Sequence, residues 1–135
     1  MKIRNVIFQI LTVLVLYAIS CSNTIAQDKK LVIRIAKLKI DSARLEVYKL
    51  TLKEEIQASV KVEPGVLTLY AVADKSNPTS ITIFEIYANE EAYNTHRETS
   101  HFKKYKSTTK EMVKSLELLD IVPIALEAKK NVELE

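Results

Sequence analysis

From residue 31 onward, the chain alternates between stretches with a two-residue apolar period and stretches with a helical period. The first stretch, Leu31 to Ile40, has two largely apolar faces, which predicts a strand in the middle of a sheet or under a partner subunit. Arg34 is the polar exception. It is interpreted either as an ordinary surface or salt-bridged residue, or as a cation that faces an anion in a cavity.

The next stretch has the spacing of an amphipathic helix, with apolar residues three and four positions apart. Asp41 is the predicted N-cap, and Pro64 with Gly65 is expected to end the helix, because proline interrupts helical hydrogen bonding. The predicted apolar stripe consists of Leu45, Tyr48, Leu52, Ile56 and Val60.

Two strands are predicted next, Val66–Ala73 and Ser80–Ala88, and the turn-rich connection between them favours an antiparallel hairpin. The side chains expected to share one face of the first strand are Val66, Thr68, Tyr70 and Val72. In the second strand, one face is expected to carry Ile81, Ile83, Glu85 and Tyr87, and the other Thr82, Phe84, Ile86 and Ala88.

Both histidines of the chain fall in a helical stretch that contains a corner. Asn89 is the predicted N-cap of the first helix, which carries His96. Thr99 or Ser100 is expected to begin a second helix at His101. The predicted inward face of this second helix consists of Phe102, Tyr105, Thr109, Met112, Val113 and Leu116.

A last strand is predicted from Leu118 to Ile124. The resulting order is strand, helix, strand, strand, two-part helix, strand, which is typical of the split βαβ arrangement of an α+β, ferredoxin-like fold with an antiparallel sheet. The helices cover only one face of such a sheet, and the other face is apolar on several strands. An uncovered apolar face of this size predicts a partner chain.

The first 26 residues have the layout of a secretory signal peptide, with a positive start at Lys2 and Arg4 and an almost wholly apolar run over 6–19. Ordinary cleavage before Gln27 is favoured over lipoprotein processing at Cys21, because residue 18 is alanine rather than the leucine usual in a lipobox. An uncleaved anchor is the remaining alternative, but the run is short for a membrane span. The expected product is exported and periplasmic, with membrane attachment only through a lipid on Cys21.

The mature part is predicted to be one domain, residues 27–126, followed by a polar tail at 127–135. Removing Lys2 and Arg4 from the 20 basic residues leaves 18 against 17 acidic ones, too little basic excess for nucleic-acid binding. The single glycine excludes a phosphate-binding glycine loop, and there is no flavin or nicotinamide fingerprint. The two histidines have no carboxylate or cysteine at ligand spacing, so neither a metal nor another cofactor is predicted.

The segment from Glu85 to Tyr105 carries a motif: Glu-Ile-Tyr, then Ala-Tyr-x-x-His-x-x-Thr-x-His-Phe-x-x-Tyr. It resembles the antibiotic biosynthesis monooxygenase (ABM) family, which includes quinol monooxygenases, and the resemblance extends over residues 31–124. It implies a homodimer in which two sheets face each other, the dimeric α/β barrel. It also implies oxidation of a small quinol-like or hydroxylated aromatic substrate by O2 without a metal or organic cofactor.

An aromatic cavity between sheet and helices is expected in such a fold. His101, at a helix N-terminus, is predicted to be a neutral general base, and His96 to orient the substrate oxygen. Tyr70 and Tyr87 are candidate hydrogen-bond donors to that oxygen. The alternative for both histidines is that they only cap backbone groups at the corner. The predicted lining consists of Tyr48, Tyr70, Phe84, Tyr87, Tyr93, His96, His101 and Phe102.

Two other functions stay open from the sequence. The haem-degrading branch of the same fold has an asparagine in the first strand, a tryptophan at the end of the third and a haem-ligating histidine in the last long helix. The corresponding residues here are Ala36, Tyr87 and Lys106, so haem degradation is disfavoured. The other alternative is a non-enzymatic dimeric α/β barrel that binds a lipophilic molecule or acts in a stress response.

Overall fold

The computed structural model describes residues 30–128, which form a four-stranded antiparallel sheet with helices on one face. The predicted signal peptide and the end of the polar tail lie outside the described residues. The elements in chain order are β1 (Val32–Ile40), a short 3-10 turn (Ser42–Arg44), α1 (Leu45–Val62), β2 (Val66–Ala73), β3 (Ser80–Tyr87), α2 (Glu90–Glu98), α3 (Ser100–Thr109) and β4 (Val113–Asp120).

The strands lie in the order β2-β3-β1-β4, and every neighbouring pair is antiparallel. β1 is therefore central, as its two apolar faces predicted, and β2 and β3 form the predicted hairpin. This strand order, with a helical crossover after β1 and another after β3, is that of the split βαβ unit. The predicted α+β, ferredoxin-like fold is confirmed.

Helix α1 begins and ends where its flanking residues predicted. The Asp41 side chain accepts a hydrogen bond from the Ala43 N–H at 3.0 Å, so it caps the 3-10 turn that leads into the helix. The helix ends at Val62, directly before Glu63 and Pro64. Glu63 thereby comes to the C-terminal end of a rigid element.

The buried stripe of α1 differs from the apolar stripe that its periodicity predicted. Tyr48 and Leu52 are buried as expected, but Val60 is half exposed. The second half of the helix instead buries two polar side chains, Glu55 and Ser59. These two hydrogen-bond to each other at 2.7 Å, which lowers the cost of placing them inside.

A bulge near the start of β2 changes which of its side chains share a face. The register with β3 shifts between Val66 and Thr68. Val66 is buried in the core, whereas Tyr70 and Val72 are 57% and 62% exposed. The prediction that these four residues share one face was wrong, because a bulge adds a residue and inverts the alternation.

The last helix is shorter than its apolar spacing predicted. α3 ends at Thr109, and β4 begins at Val113, so Val113 and Leu116 lie in the strand and not on the helix. The predicted strand Leu118–Ile124 therefore began too late. Pairing with the central strand β1 decides the outcome, because it gives hydrogen-bond partners to the backbone groups that face β1 along the segment from Val113 to Asp120.

The core lies between the helix-facing side of the sheet and the helices α1 and α3. The hydroxyl groups of Tyr48 and Tyr105 hydrogen-bond at 2.7 Å in its interior, so neither polar group is buried without a partner. Burial raises the pKa of Tyr105 to about 12. The residues that surround the two tyrosines in the core are Ala36, Leu38, Ile40, Leu52, Ile81, Ile83 and Met112.

Among residues 30–128, every helix falls short of the length and apolarity that a membrane crossing requires.

Candidate active site

A carboxylate at the end of α1 lies between the two histidines. Glu63 Oε1 is 3.0 Å from His96 Nδ1 and 2.6 Å from His101 Nε2, and Glu63 Oε2 is 3.3 Å from His96 Nδ1. The side chain of His96 is 3% exposed, whereas that of His101 is 20% exposed. The predicted helix corner therefore carries a three-residue cluster in which one imidazole is enclosed and the other reaches the surface.

Side-chain caps at the starts of α2 and α3 hold the two histidines in place. Asn89 Oδ1 accepts a hydrogen bond from the Ala92 N–H at 2.8 Å, which starts α2. The Thr99 hydroxyl oxygen accepts from the Phe102 N–H at 3.3 Å and donates to the His96 carbonyl at 2.7 Å. Both predicted caps are confirmed, and Thr99 joins the end of one helix to the start of the next.

The charge of Glu63 is set by the two rings that it contacts. Burial alone raises the pKa of Glu63, but the hydrogen bonds from His101 and His96 outweigh burial, so the pKa lies below its usual value. An ionised carboxylate only accepts hydrogen bonds, so the network assigns the proton of neutral His96 to Nδ1 and that of neutral His101 to Nε2. The Nδ1 atom of His101 then carries a lone pair.

A second carboxylate approaches the enclosed histidine. Glu55 Oε1 lies 3.7 Å from His96 Nε2 and accepts a hydrogen bond from Ser59 Oγ at 2.7 Å. Burial raises the pKa of Glu55, and the hydrogen bond from Ser59 offsets this only in part. His96 is thus held between two acidic residues, Glu55 of α1 and Glu63, which directly follows α1.

Three of the predicted lining residues do lie beside this cluster. The ring centroid of His96 is 4.6 Å from that of Phe102 and 5.3 Å from that of Tyr87, and Tyr93 packs edge-on against Tyr87 at 5.2 Å. Tyr87 is fully enclosed, and its hydroxyl donates to Glu85 at 3.1 Å. Its hydroxyl is therefore engaged within the protein rather than free for the predicted contact with a substrate oxygen.

The other three predicted lining residues lie elsewhere. Tyr48 is inside the hydrophobic core. Tyr70 and Phe84 are cross-strand partners on the face of the sheet that the helices do not cover, because Phe84 alternates with the buried Ile83. The prediction that these residues line a cavity together with the histidines was wrong. For Tyr70 the cause is the bulge in β2, which the sequence pattern did not reveal.

Arg34 forms a salt bridge with an acidic residue of one neighbouring strand and lies opposite an acidic residue of the other. The register places it beside Glu85 of β3 and Asp120 of β4. Its Nε atom lies 2.9 Å from Asp120 Oδ1, its Nη1 atom donates to the Tyr93 hydroxyl, and its guanidinium lies 4.7 Å from the centroid of the Tyr93 ring. Of the two interpretations of Arg34, the structure supports the salt-bridged residue.

A surface groove of about 390 Å³ opens beside this arginine at the start of β1. Its volume is within the range that small-molecule sites occupy. The groove is open to solvent and includes neither histidine. Its lining includes Leu31, Val32, Arg34, Glu90, Tyr93 and Asp120.

Glu63 was missed in the sequence because it lies far from the histidines along the chain. It precedes His96 by 33 residues and His101 by 38, with two strands between. One signal was present: Glu55, Ser59 and Glu63 recur at steps of four residues, which places them on one side of α1. This polar stripe runs beside the predicted apolar stripe.

The geometry of the cluster leaves one imidazole nitrogen able to accept a proton. Glu63 accepts a hydrogen bond from the Nε2–H group of His101 and thereby orients the ring, so that Nδ1 is the nitrogen left to react. Residues 30–128 offer Nδ1 of His101 no hydrogen-bond partner. A carboxylate that holds one nitrogen of a part-exposed imidazole, with the other left to react, is a general-base arrangement.

The model of the antibiotic biosynthesis monooxygenase family matches residues 31–108, which is more than half of the chain and includes Glu63, His96 and His101. The chain belongs to this family. The resemblance drawn from the double-histidine motif is therefore confirmed at the level of the family. The search among functionally curated proteins gives no match.

Several solved structures have the fold of this chain, and two of those described here are also similar to it in sequence. A candidate antibiotic biosynthesis monooxygenase from Bacteroides thetaiotaomicron is 50% identical, with a TM-score of 0.72 over 76% of this chain and 97% of its own. A candidate monooxygenase from Lactobacillus acidophilus is 35% identical, with a TM-score of 0.65 over 69% of this chain and 44% of its own. A candidate antibiotic biosynthesis monooxygenase from Nitrosomonas europaea is 17% identical, with a TM-score of 0.66 over 70% of this chain and 90% of its own. At this identity, the similarity shows the fold alone. The family and the two more similar structures support a general monooxygenase-like role.

Proposed function

We propose that the protein is a monooxygenase that oxidises a quinol-like or other hydroxylated aromatic substrate with O2, without a metal or organic cofactor, and that His101 is its general base. The observation that carries the proposal is the 2.6 Å hydrogen bond between the part-exposed imidazole of His101 and the part-buried carboxylate of Glu63. Membership of the ABM family supports the class of reaction.

The reaction begins with a proton transfer from the substrate. His101 Nδ1 takes the proton of a phenolic hydroxyl, and the resulting phenolate is electron-rich enough to reduce O2 directly. One quinol and one O2 give one hydroxyquinone and one water. The substrate loses four electrons, one oxygen atom enters the product, and the proton on His101 returns to the oxygen atom that leaves as water.

His96 has a positioning role in this proposal. Its ring is enclosed, with Nδ1 against Glu63 and Nε2 facing Glu55, so it holds the carboxylate that orients His101. This role replaces the predicted contact between His96 and the substrate oxygen. Because His96 is buried, its replacement by alanine is expected to cost stability as well as activity.

We also propose a homodimer through the uncovered face of the sheet. The register aligns one apolar side chain from each strand on that face: Tyr70, Phe84, Ile35 and Leu119. Tyr70 is more than half exposed in a single chain. Two sheets that stack through these rows would remove them from water and form the dimeric α/β barrel that the family resemblance implies.

Export is proposed from the sequence of residues 1–26. Mass spectrometry of the protein from its native host should find Gln27 at the N-terminus. A lipid on Cys21 would replace simple cleavage with lipoprotein processing, and an intact Met1 would contradict export.

Oxygen uptake by the metal-stripped protein with a panel of quinols tests the enzymatic proposal. An anaerobic sample and a protein-free blank are needed, because quinols oxidise spontaneously. His101→Ala should lower the catalysed rate by about 10²- to 10⁴-fold, whereas Lys106→Ala, an exposed change on the same helix, should leave it unchanged. Glu63→Gln should also slow the reaction, because an amide does not stabilise the imidazolium.

The contradicting result is equal uptake by His101→Ala and wild type with every quinol above the blank. His101 would then be structural, and the non-enzymatic barrel that binds a small aromatic or lipophilic molecule would be preferred. Equilibrium binding of the same quinols to both proteins, measured without O2, separates lost binding from lost chemistry.

A further inference from the structure

The cluster of Glu63, His96 and His101 has the composition of a metal site as well as that of a proton relay. We propose that these three residues bind one divalent first-row transition-metal ion, through His96 Nδ1, His101 Nε2 and the Glu63 carboxylate. Two imidazoles and one carboxylate are a common ligand set for such ions and leave further coordination positions open. The proposal goes beyond the proposed reaction and does not rest on it.

The three ligand groups lie close enough for small side-chain movements to bring them onto one ion. One ligand atom from each residue can be chosen so that all three lie within 4.8 Å of one another. Ligands bound at about 2.0–2.2 Å at right angles or tetrahedral angles are about 2.8–3.6 Å apart. The separations of 3.0 and 3.3 Å between His96 Nδ1 and the two oxygens of Glu63 fall in this range. The 2.6 Å from His101 Nε2 to Glu63 Oε1 needs only a small side-chain rotation.

The surroundings of His96 match those of a metal-bound imidazole. Such a histidine almost always directs its other ring nitrogen to a carboxylate, carbonyl or water. Here Glu55 Oε1 lies 3.7 Å from His96 Nε2, and Ser59 donates a hydrogen bond to the same oxygen. When an ion takes Nδ1, the proton of the neutral ring moves to Nε2, where Glu55 can accept it. The ring of Phe102 packs against the His96 ring, with the two centroids 4.6 Å apart.

Charge also favours a cation. The ligand set brings one negative charge from Glu63 and two neutral rings, so a divalent ion leaves a net charge of only one. An ion on His101 Nε2 moves the ring proton to Nδ1, so the same imidazole no longer accepts a proton there. Metal binding and the proposed base role of His101 therefore exclude each other.

Titration with Co²⁺ and Zn²⁺ tests the site without reference to activity. The protein is the untagged full chain with Cys21→Ser, so that no thiol binds metal. We expect one ion per chain, followed for Co²⁺ by its visible absorption and for Zn²⁺ by calorimetry. Glu55→Gln, which alters only the residue that faces His96 Nε2, should weaken metal binding by about 10- to 100-fold. Glu63→Gln and His101→Gln each remove a proposed ligand and should weaken it by more than that. Glu98→Gln, an exposed charge change on α2, should leave binding unchanged.

A measurement on unmodified side chains protects the test against variants that misfold. The chain has only two histidines, so nitrogen NMR of the imidazoles reports both directly. Zn²⁺ should shift the nitrogen resonances of His96 Nδ1 and His101 Nε2, and the shifts should be complete at one Zn²⁺ per chain. Unshifted imidazoles, or equal affinity of wild type, Glu63→Gln and His101→Gln, would overturn the proposal. If Zn²⁺ binds as expected but oxygen uptake is unchanged, the metal site stands and the base role of His101 fails.

Discussion

Replacing Gly65 by alanine tests how closely the candidate site depends on the contact between β2 and α2. Gly65 is the only glycine of the chain and lies directly before β2. A Cβ atom there would be 2.5 Å from Ala92 Cβ and 3.4 Å from Ala92 Cα. Ala92 belongs to the first turn of α2, so its methyl group cannot rotate aside. The helix itself has to move.

The size of the effect follows from these distances. Ordinary contacts between carbon atoms are about 3.5–4.0 Å, so α2 must move by about 1 Å or more. We expect Gly65→Ala to lower the free energy of unfolding by about 1–3 kcal/mol, the usual cost of overpacking, measured by urea denaturation. Because α2 also carries His96, the shift should lengthen its 3.0 Å hydrogen bond to Glu63 and change the His96 imidazole resonances.

The matched control is the double variant Gly65→Ala/Ala92→Gly, which removes the obstructing methyl group. It should recover most of the lost stability, less a helix-propensity cost of up to about 1 kcal/mol for glycine in α2. A Gly65→Ala protein as stable as wild type would show that the contact is not limiting. A double variant less stable than the single variant would show that the clash with Ala92 is not the cause.

Three further predictions concern the core, a buried acid and the uncovered sheet face. Tyr105→Phe should cost about 1–3 kcal/mol in urea denaturation, because it leaves the Tyr48 hydroxyl unpaired, whereas Tyr48→Phe/Tyr105→Phe should cost clearly less than the sum of the single changes. Burial raises the pKa of Glu85 in the folded protein. Wild type should therefore lose stability as the pH rises from the pKa of Glu85 in the unfolded chain through its pKa in the folded protein. Glu85→Gln should be more stable than wild type at pH 8 and lose this advantage below pH about 4. Tyr70→Lys should give monomers in light scattering, whereas Leu118→Lys, an exposed apolar position on the other face of the sheet, should not; dimers in both would place the interface elsewhere.

Local signals in the sequence were sufficient for most of the fold. The alternation in β1 and β3, the caps Asp41, Asn89 and Thr99, and the stop at Pro64 all depend on neighbouring residues, and the structure confirms each. The end of α3 was placed too late, because the apolar period continued past Thr109 while pairing with β1 drew the next residues into a strand. Tertiary pairing of this kind overrides a local period.

The candidate site was only half visible in the sequence. The two histidines and the corner between them could be predicted from the six consecutive residues His96–His101, in which Thr99 and Ser100 interrupt the helical sequence. Glu63 could not, because only the packing of α1 against α2 and α3 brings it to within 3.0 Å of both rings. The outward turn of Tyr70 was hidden for a similar reason, since it results from a bulge that adds one residue to β2.

Incorporation of labelled oxygen tests the proposed monooxygenase chemistry most directly. Metal-stripped protein is given a quinol under ¹⁸O2 in ordinary water, and again under ordinary O2 in H2¹⁸O. We expect a hydroxyquinone whose new hydroxyl oxygen comes from O2, formed in wild type and reduced to the rate of the protein-free blank, or close to it, in His101→Ala. A product that takes its new oxygen only from water, or an unhydroxylated quinone formed with hydrogen peroxide at the blank rate, would contradict the proposed function.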